Sequence, residues 1–273
     1  MPSPRRHTTH LERLNALQEL DPIPPTFIPA TTISTGIPDL DTGLGGGLER
    51  GRIYELFGVE SSGKSTLALY LSFCVQKQGG LCAWIDADHT LDPEYPGLWG
   101  VDKDRFWVVE ANNLEQGVDI LEKLINCGAV DWLVVDSLTA LPLENELRGK
   151  FSDNYLIQRD RFLRQALPHL ETSLHRTRST LLFINQTRHR SGHIYQTDQA
   201  STASLALKLR STARFELTYL AAVFDQMEIV GQKLQLRIVK HPSAPIFSTI
   251  NIDIMYNQAV NKFIRINGCR EAN

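Results

Sequence analysis

Residues Gly58-Val-Glu-Ser-Ser-Gly-Lys-Ser65 have the form G-x-x-x-x-G-K-[ST], and this run dictates the structure around it. Such a loop cradles a polyphosphate only where a strand enters it and a helix leaves it. The preceding Gly51-Arg-Ile-Tyr-Glu-Leu-Phe57 reads as a short strand and the following Thr66-Leu-Ala-Leu-Tyr-Leu-Ser-Phe73 as a helix. The helix N-terminus aims backbone N–H groups and the positive end of its dipole at an anion. Gly58 and Gly63 permit the tight turn, and Glu60, Ser61 and Ser62 supply the loop backbone. Lys64 is placed for the β- and γ-phosphates, Ser65 for Mg²⁺, and Thr66 for the first helical turn beside them. The expected ligand is a nucleoside triphosphate with Mg²⁺.

A chain of 273 residues, 42% hydrophobic and with a net charge of −3, suits one large α/β domain, alone or with a small appendage. The N-terminal Met-Pro-Ser-Pro-Arg-Arg-His7 has no apolar run behind it, so no signal peptide is expected, and no stretch is apolar enough to span a bilayer. Cys74, Cys82, Cys127 and Cys269 lack metal-ligand spacing and read as reduced thiols of a cytoplasmic protein. The near-neutral balance excludes a globally basic nucleic-acid binder and leaves room for a local basic groove.

Residues 1–30 separate from the rest by composition. Leu11, Leu14, Leu17 and Leu20 recur at helical spacing over residues 10–20, and Asp21-Pro-Ile-Pro-Pro-Thr-Phe-Ile-Pro29 follows as an extended linker. The core is expected over residues 31–273. Strands at 52–57, 81–86, 106–109, 132–136, 180–185, 213–220 and 234–239 interleave with helices at 64–78, 114–127 and 155–175, which predicts a mainly parallel sheet flanked by helices. In the last helix Arg159, Arg161 and Arg164 are open to DNA, to a partner or to water, and read best as its wet face.

Three strands end in polar groups that suit a phosphate site. Asp131-Trp-Leu-Val-Val-Asp136 ends in a carboxylate able to hold Mg²⁺ directly or through water. Asp86 and Asp88 follow the next acidic strand, and alternation allows only one of them to face the site, where it would orient the attacking water. Asp92 and Tyr95 follow in a turn, with Tyr95 available to stack on a base. The plain alternative for this cluster is a polar turn. Leu181-Leu-Phe-Ile-Asn185-Gln186 ends in amides; Gln186 either senses the γ-phosphate or caps backbone.

Together these segments resemble the bacterial RecA recombinase family. The matching stretches, in the family's order and spacing, are Thr32-Ile-Ser-Thr-Gly36, Gly51-Arg-Ile53, Glu60-Ser-Ser-Gly-Lys-Ser65, Ile85-Asp-Ala-Asp-His89, Leu91-Asp-Pro93, Gly128-Ala-Val-Asp131, Val134-Val-Asp-Ser137, Phe183-Ile-Asn-Gln186 and Val239-Lys240. The resemblance implies a RecA-like ATP-binding core that assembles into filaments on single-stranded DNA, with ATP between adjacent subunits. It implies that Lys64 and Ser65 hold phosphate and Mg²⁺, that Asp136 is the Walker B carboxylate, that Asp92 and Tyr95 contact adenine, that Gln186 senses the γ-phosphate, and that Lys240 reaches the neighbour's ATP. Two mobile loops would face DNA. The first carries Arg148, Lys150 and Phe151. The second carries Arg188, Arg190 and Tyr195 and runs towards Lys208 and Arg210, with the cations for phosphates and the rings for bases.

The departures from the family pattern predict slow hydrolysis. Asp88 stands where the family has glutamate, one methylene longer, and Pro242 stands where a second lysine would follow Lys240. The chain stops before the family's small C-terminal domain, and the N-terminal arm is short. Two functions follow. One is an ATP-dependent recombinase of DNA repair. The other is an accessory protein of damage-induced mutagenesis, like the shortened ImuA group, binding a recombinase or polymerase partner without strand exchange. A hexameric helicase on the same core fits the ordered motifs less well.

Overall fold

The computed structural model describes residues 31–149, 154–187, 205–242, 248–256 and 265–267. The chain divides into two units, residues 1–31 and 32–273. The predicted N-terminal helix and linker lie outside the described residues.

The elements of the second unit run β1 (Thr32–Ile33), α1 (Pro38–Gly43), β2 (Leu48–Glu49), β3 (Ile53–Gly58), α2 (Lys64–Lys77), β4 (Cys82–Asp86), α3 (Tyr95–Leu98), β5 (Phe106–Glu110), α4 (Leu114–Asn126), β6 (Trp132–Asp136), α5 (Glu144–Leu147), α6 (Tyr155–Thr177), β7 (Thr180–Gln186), α7 (Leu205–Arg210), β8 (Ala213–Asp225), β9 (Glu228–Lys240), β10 (Thr249–Met255) and β11 (Arg265–Asn267). Nine strands form one sheet in the order β11-β10-β9-β8-β3-β7-β6-β4-β5. From β8 to β5 every neighbouring pair is parallel, and β9, β10 and β11 are added antiparallel.

Burial explains the pattern. The central strands β3, β4 and β7 are covered on both faces and read as continuous apolar runs, as parallel strands do. On one face α2 packs its Leu67, Leu69, Leu71 and Val75 against Tyr54, Leu56, Trp84 and Val134. On the other, α4 and α6 bury Leu114, Leu121, Ile125, Leu163, Leu167, Leu170 and Leu174 against Ile85, Leu133, Val135 and Phe183. The start of α4 is set by Asn113, whose side chain accepts from the Gln116 N–H at 2.7 Å. No helix among the described residues is long and apolar enough to cross a membrane.

The antiparallel edge departs from the expected strands. β8 and β9 each run 13 residues and form one long hairpin, and β10 follows as a seven-residue strand that buries Ile250, Ile252 and Ile254 on one face. Arg159 is a second departure. It is 4% exposed, and its guanidinium donates to the carbonyls of Leu138 and Leu141, tying α6 to the turn after β6. Position in the helix repeat predicted water; two buried carbonyls needing donors override it. Arg164 stays exposed and pairs with Asp160 at 2.5 Å.

Candidate nucleotide-binding site

The parallel registers bring four strand ends to one edge of the sheet, β3 and β7 reaching about two residues farther than β4 and β6. Gln186 pairs with Gly58 across β7 and β3, and Asp86 pairs with Asp136 across β4 and β6. Thr187 N–H donates to the Gly58 carbonyl at 3.0 Å, so the segment after β7 leaves directly beside the start of the glycine loop. Ligand crevices of open α/β sheets form at such carboxyl ends.

The loop needs its glycines for two different reasons. A Cβ on Gly58 would lie 2.2 Å from the Leu217 carbonyl oxygen, so β8 and the loop approach too closely for any side chain. Gly63 caps α2 at φ 86°, in the left-handed region, with Leu234 and Gln232 of β9 packed over it. Lys64 is 7% exposed; its Nζ donates to the Val59 carbonyl at 2.6 Å, and burial pushes its pKa down. Asp136 lies at the other side. Burial pushes its carboxyl up to about 6, against a hydrogen bond from Ser65 that holds it down. The Asp136–Ser137 peptide is cis.

Both acidic candidates lie beside Asp136, where strand alternation predicts only one. Asp86, the last residue of β4, pairs in register with Asp136 and so projects from the same face; it accepts from the Thr90 and Leu91 N–H groups at 3.3 and 3.0 Å, fixing the following turn. Asp88 accepts from Ser137 Oγ at 3.3 Å, next to Asp136. Burial raises its pKa, the Ser137 hydrogen bond opposes the shift, and the Asp86 charge adds to it. Asp92 forms an Asx turn with the Glu94 N–H at 2.9 Å. Tyr95 Oη lies 2.9 Å from Thr66 Oγ1, and its ring meets Trp99 edge-on at 6.2 Å. Tyr95 therefore sits on the first turn of α2. Tyr256, at the end of β10, lies within electrostatic reach of Tyr95 and Tyr219, and burial raises its pKa. Sequence reasoning did not place Tyr256, Gln232 and Leu234 beside these groups. They carry no motif, and their signal is the alternation of the antiparallel edge that brings them there.

These groups fit Mg·ATP. Mg²⁺ takes one or two carboxylates and completes its shell with water and phosphate oxygens. Ser65 and Asp136 already touch, and the raised Asp136 pKa marks a carboxylate that gains from a cation. Lys64 and the α2 N-terminus supply positive potential for phosphates. Bound there, Mg²⁺ would neutralise phosphate charge.

Lys240 lies elsewhere. Its Nζ donates to the carbonyls of Lys208 and Leu209 at 2.9 and 2.8 Å, capping the end of α7, and burial followed by the Arg214 charge lowers its pKa. Pro242 is exposed after it. Of the expected DNA contacts, Arg148 forms an exposed ion pair with Glu144 at 2.5 Å and Arg210 one with Glu171 at 3.0 Å. Such pairs exchange readily for other anions. Lys150, Phe151, Arg188, Arg190 and Tyr195 lie outside the described residues.

Comparison with known proteins adds to the geometry. The chain is 40% identical over 231 residues to the protein RecA of Paramagnetospirillum magneticum, covering 84% of this chain and 64% of that one. It is 41% identical over 232 residues to RecA of Blastochloris viridis, covering 85% and 67%. The chain thus spans about two thirds of these relatives' length. A crystal structure of the RadB recombinase superposes with a TM-score of 0.63 at 22% identity, over 82% of this chain and 96% of that one, which speaks for the fold. The RecA N-terminal domain profile matches residues 26–261, and with these relatives it places the chain in the RecA family.

Proposed function

We propose that the chain is a Mg·ATP-dependent, single-stranded-DNA-binding recombinase subunit that assembles with copies of itself. The observation that supports this reading is the convergence of Lys64, Ser65, Asp136 and Asp88 at one end of the parallel sheet, where Gln186 pairs with the start of the glycine loop. Lys64 and the loop N–H groups hold the β- and γ-phosphates. Ser65 and Asp136 hold Mg²⁺. Asp92 and Tyr95, with Tyr256, offer the adenine a polar turn and aromatic faces. Asp88 orients water; its carboxylate is short and partly desolvated, so turnover is slow. Gln186 passes the presence of the γ-phosphate to the segment that follows it. Arg188, Arg190 and Tyr195 there, with Arg148, Lys150, Phe151, Lys208 and Arg210, bind DNA phosphates and bases.

Titration with a fluorescent ATP analogue, then with an oligothymidylate under ATP or ADP, tests the reading. Tight nucleotide binding that is lost in Lys64→Ala, with DNA binding that needs ATP and weakens with salt, supports it. Nucleotide affinity unchanged by Lys64→Ala refutes the site. A second reading is favoured by Asp88 and Pro242: an accessory protein that binds a recombinase or polymerase. Nucleotide binding without any ATP-linked DNA binding selects it.

A further inference from the structure

Three charged side chains stand in one row across three strands. Glu55 of β3 pairs in register with Arg214 of β8, and Arg214 pairs with Lys240 of β9. Residues paired in this way project from the same face. Glu55 is 0% exposed, a costly place for a carboxylate. Its Oε2 accepts from Arg214 Nε at 2.5 Å and its Oε1 from Asn185 Nδ2 at 2.8 Å. The Arg214 guanidinium also lies over the Phe57 ring, 4.7 Å from its centroid. Asn185 has no partner for its Oδ1 among the described residues, so Glu55 is what orients its amide. Asn185 directly precedes Gln186, which is level with Gly58. At the far end of the row Lys240 holds the last carbonyls of α7. Apolar residues of similar shape often replace a buried ion pair without loss of stability, so stability alone is a weak reason for this carboxylate.

We propose that Glu55 is a positioning residue that couples the Gln186 strand end to Lys240, by deciding how much of the Arg214 charge Lys240 meets. The proposal deepens the ATP-linked assembly reading and rests on it. With Glu55 seated between Asn185 and Arg214, the guanidinium is neutralised and Lys240 stays on the α7 carbonyls. A movement of Gln186 towards a γ-phosphate carries Asn185 with it and loosens Glu55. Arg214 then repels Lys240, which exchanges the α7 carbonyls for the phosphate oxygens of a neighbouring copy's nucleotide. Because Lys240 caps α7, the same exchange frees the helix that ends the segment expected to contact DNA. Two discrete positions of one ammonium group make this a switch that both sites bias.

The test uses the full chain with Glu55→Gln, with Glu55→Gln/Arg214→Gln, and with Asn185→Leu. The main readout is the ratio of oligothymidylate Kd in ADP to Kd in a non-hydrolysable ATP analogue. For the unaltered protein this ratio should be at least about 5. Glu55→Gln leaves a buried arginine unbalanced and should lower Tm. The double variant removes both charges and should return Tm to within about 2 °C of the parent. All three variants should keep affinity for the ATP analogue without DNA within about twofold and bring the ratio to about 1. If the double variant restores the ratio together with Tm, Glu55 is structural and the proposal is overturned. An unchanged ratio in Asn185→Leu overturns it as well. So does a loss of about tenfold or more in nucleotide affinity, since Glu55 would then act on its own phosphate loop. A parent ratio of 1 defeats the proposal and the recombinase reading together. A parent ratio of about 5 or more that persists in the variants defeats the proposal alone.

Discussion

Gly58→Ala separates steric contact from backbone strain in the phosphate loop. The new Cβ would sit 2.2 Å from the Leu217 carbonyl oxygen and 2.8 Å from Ser62 Oγ. Ordinary carbon–oxygen contacts begin about 1 Å farther out, and the carbonyl belongs to a strand held on both edges, so it cannot turn away. The β3–β8 pairing must open. Overpacking of this kind costs about 3 kcal/mol, which for a domain this size lowers Tm by about 6–12 °C. The displaced loop should also weaken nucleotide binding, because about 1 Å of misplacement is enough to disable a phosphate site. Gly63→Ala is the contrast. Its φ of 86° costs about 1–2 kcal/mol, but the atom its Cβ meets is Leu234 Cδ1 at 2.9 Å, the tip of a flexible side chain. Thermal unfolding followed by circular dichroism should therefore rank Gly58→Ala below Gly63→Ala in Tm. Nucleotide affinity should fall in both. Equal Tm for Gly58→Ala and the parent, or the reverse ranking, refutes the argument from the Leu217 contact.

Asp88→Glu should raise kcat by lengthening the carboxylate, and Asp88→Asn should abolish turnover while leaving nucleotide affinity in place, as a steady-state phosphate-release assay would read. Burial raises the Asp136 pKa from 3.8 to about 6, so the folded state binds the extra proton and the contribution of Asp136 to nucleotide-free stability declines as pH rises from about 4 to 6. Asp136→Asn should flatten that decline and stabilise the nucleotide-free protein at pH 7 by at most about 3 kcal/mol, while removing Mg²⁺-dependent nucleotide binding. A Tm difference between Asp136→Asn and the parent that does not grow from pH 4 to 6 contradicts the shift. Mixing Lys64→Ala with Lys240→Met subunits should recover part of the ATPase that each lacks alone, because an intact Lys240 from one can serve the intact loop of the other; no recovery argues that Lys240 does not act between copies.

The parallel half of the fold was legible because each strand there carries its own signal. Buried on both faces, β3, β4, β6 and β7 are apolar runs, the first three bounded by glycine or acidic residues and β7 ending in amides, and the phosphate loop fixes their direction. The antiparallel edge was less so. β8 and β9 lengthen past the parallel core into a hairpin with Tyr219, Leu220, Phe224 and Met227 exposed, so inside–outside alternation fades in its outer half. β10 did carry the alternation, in Ile250, Ile252 and Ile254, but no turn motif announced it. Lys64, Ser65, Asp136 and Asp88 were legible as candidates because phosphate and Mg²⁺ demand such groups at a helix N-terminus and beside strand ends. That Asp86 also fixes the turn after β4, through the backbone N–H groups of Thr90 and Leu91, is something no spacing rule reveals. Arg159 and Glu55 were hidden for a similar reason: their partners, two carbonyls and two distant side chains, come together only in the folded sheet.

The position of Lys240 decides what it can reach. It is level with Arg214 and Glu55, and Glu55 lies three residues before Gly58 on β3. Three residues of strand amount to about 10 Å along the sheet, and the two strand spacings from β3 to β9 add about 10 Å across it. The backbone of Lys240 is therefore about 14 Å from the start of its own phosphate loop, farther than a lysine side chain extends. Its ammonium group also points at α7. Among the described residues, the cation that acts on Asp136 is Lys64. Phosphoryl transfer gains by orders of magnitude from a second cation at the γ-phosphate. Under the proposed function, a site of this kind would divide its chemistry between two copies of the chain. Hydrolysis would then depend on assembly, and Pro242, by giving no second lysine, would leave Lys240 as the group on which the exchange turns.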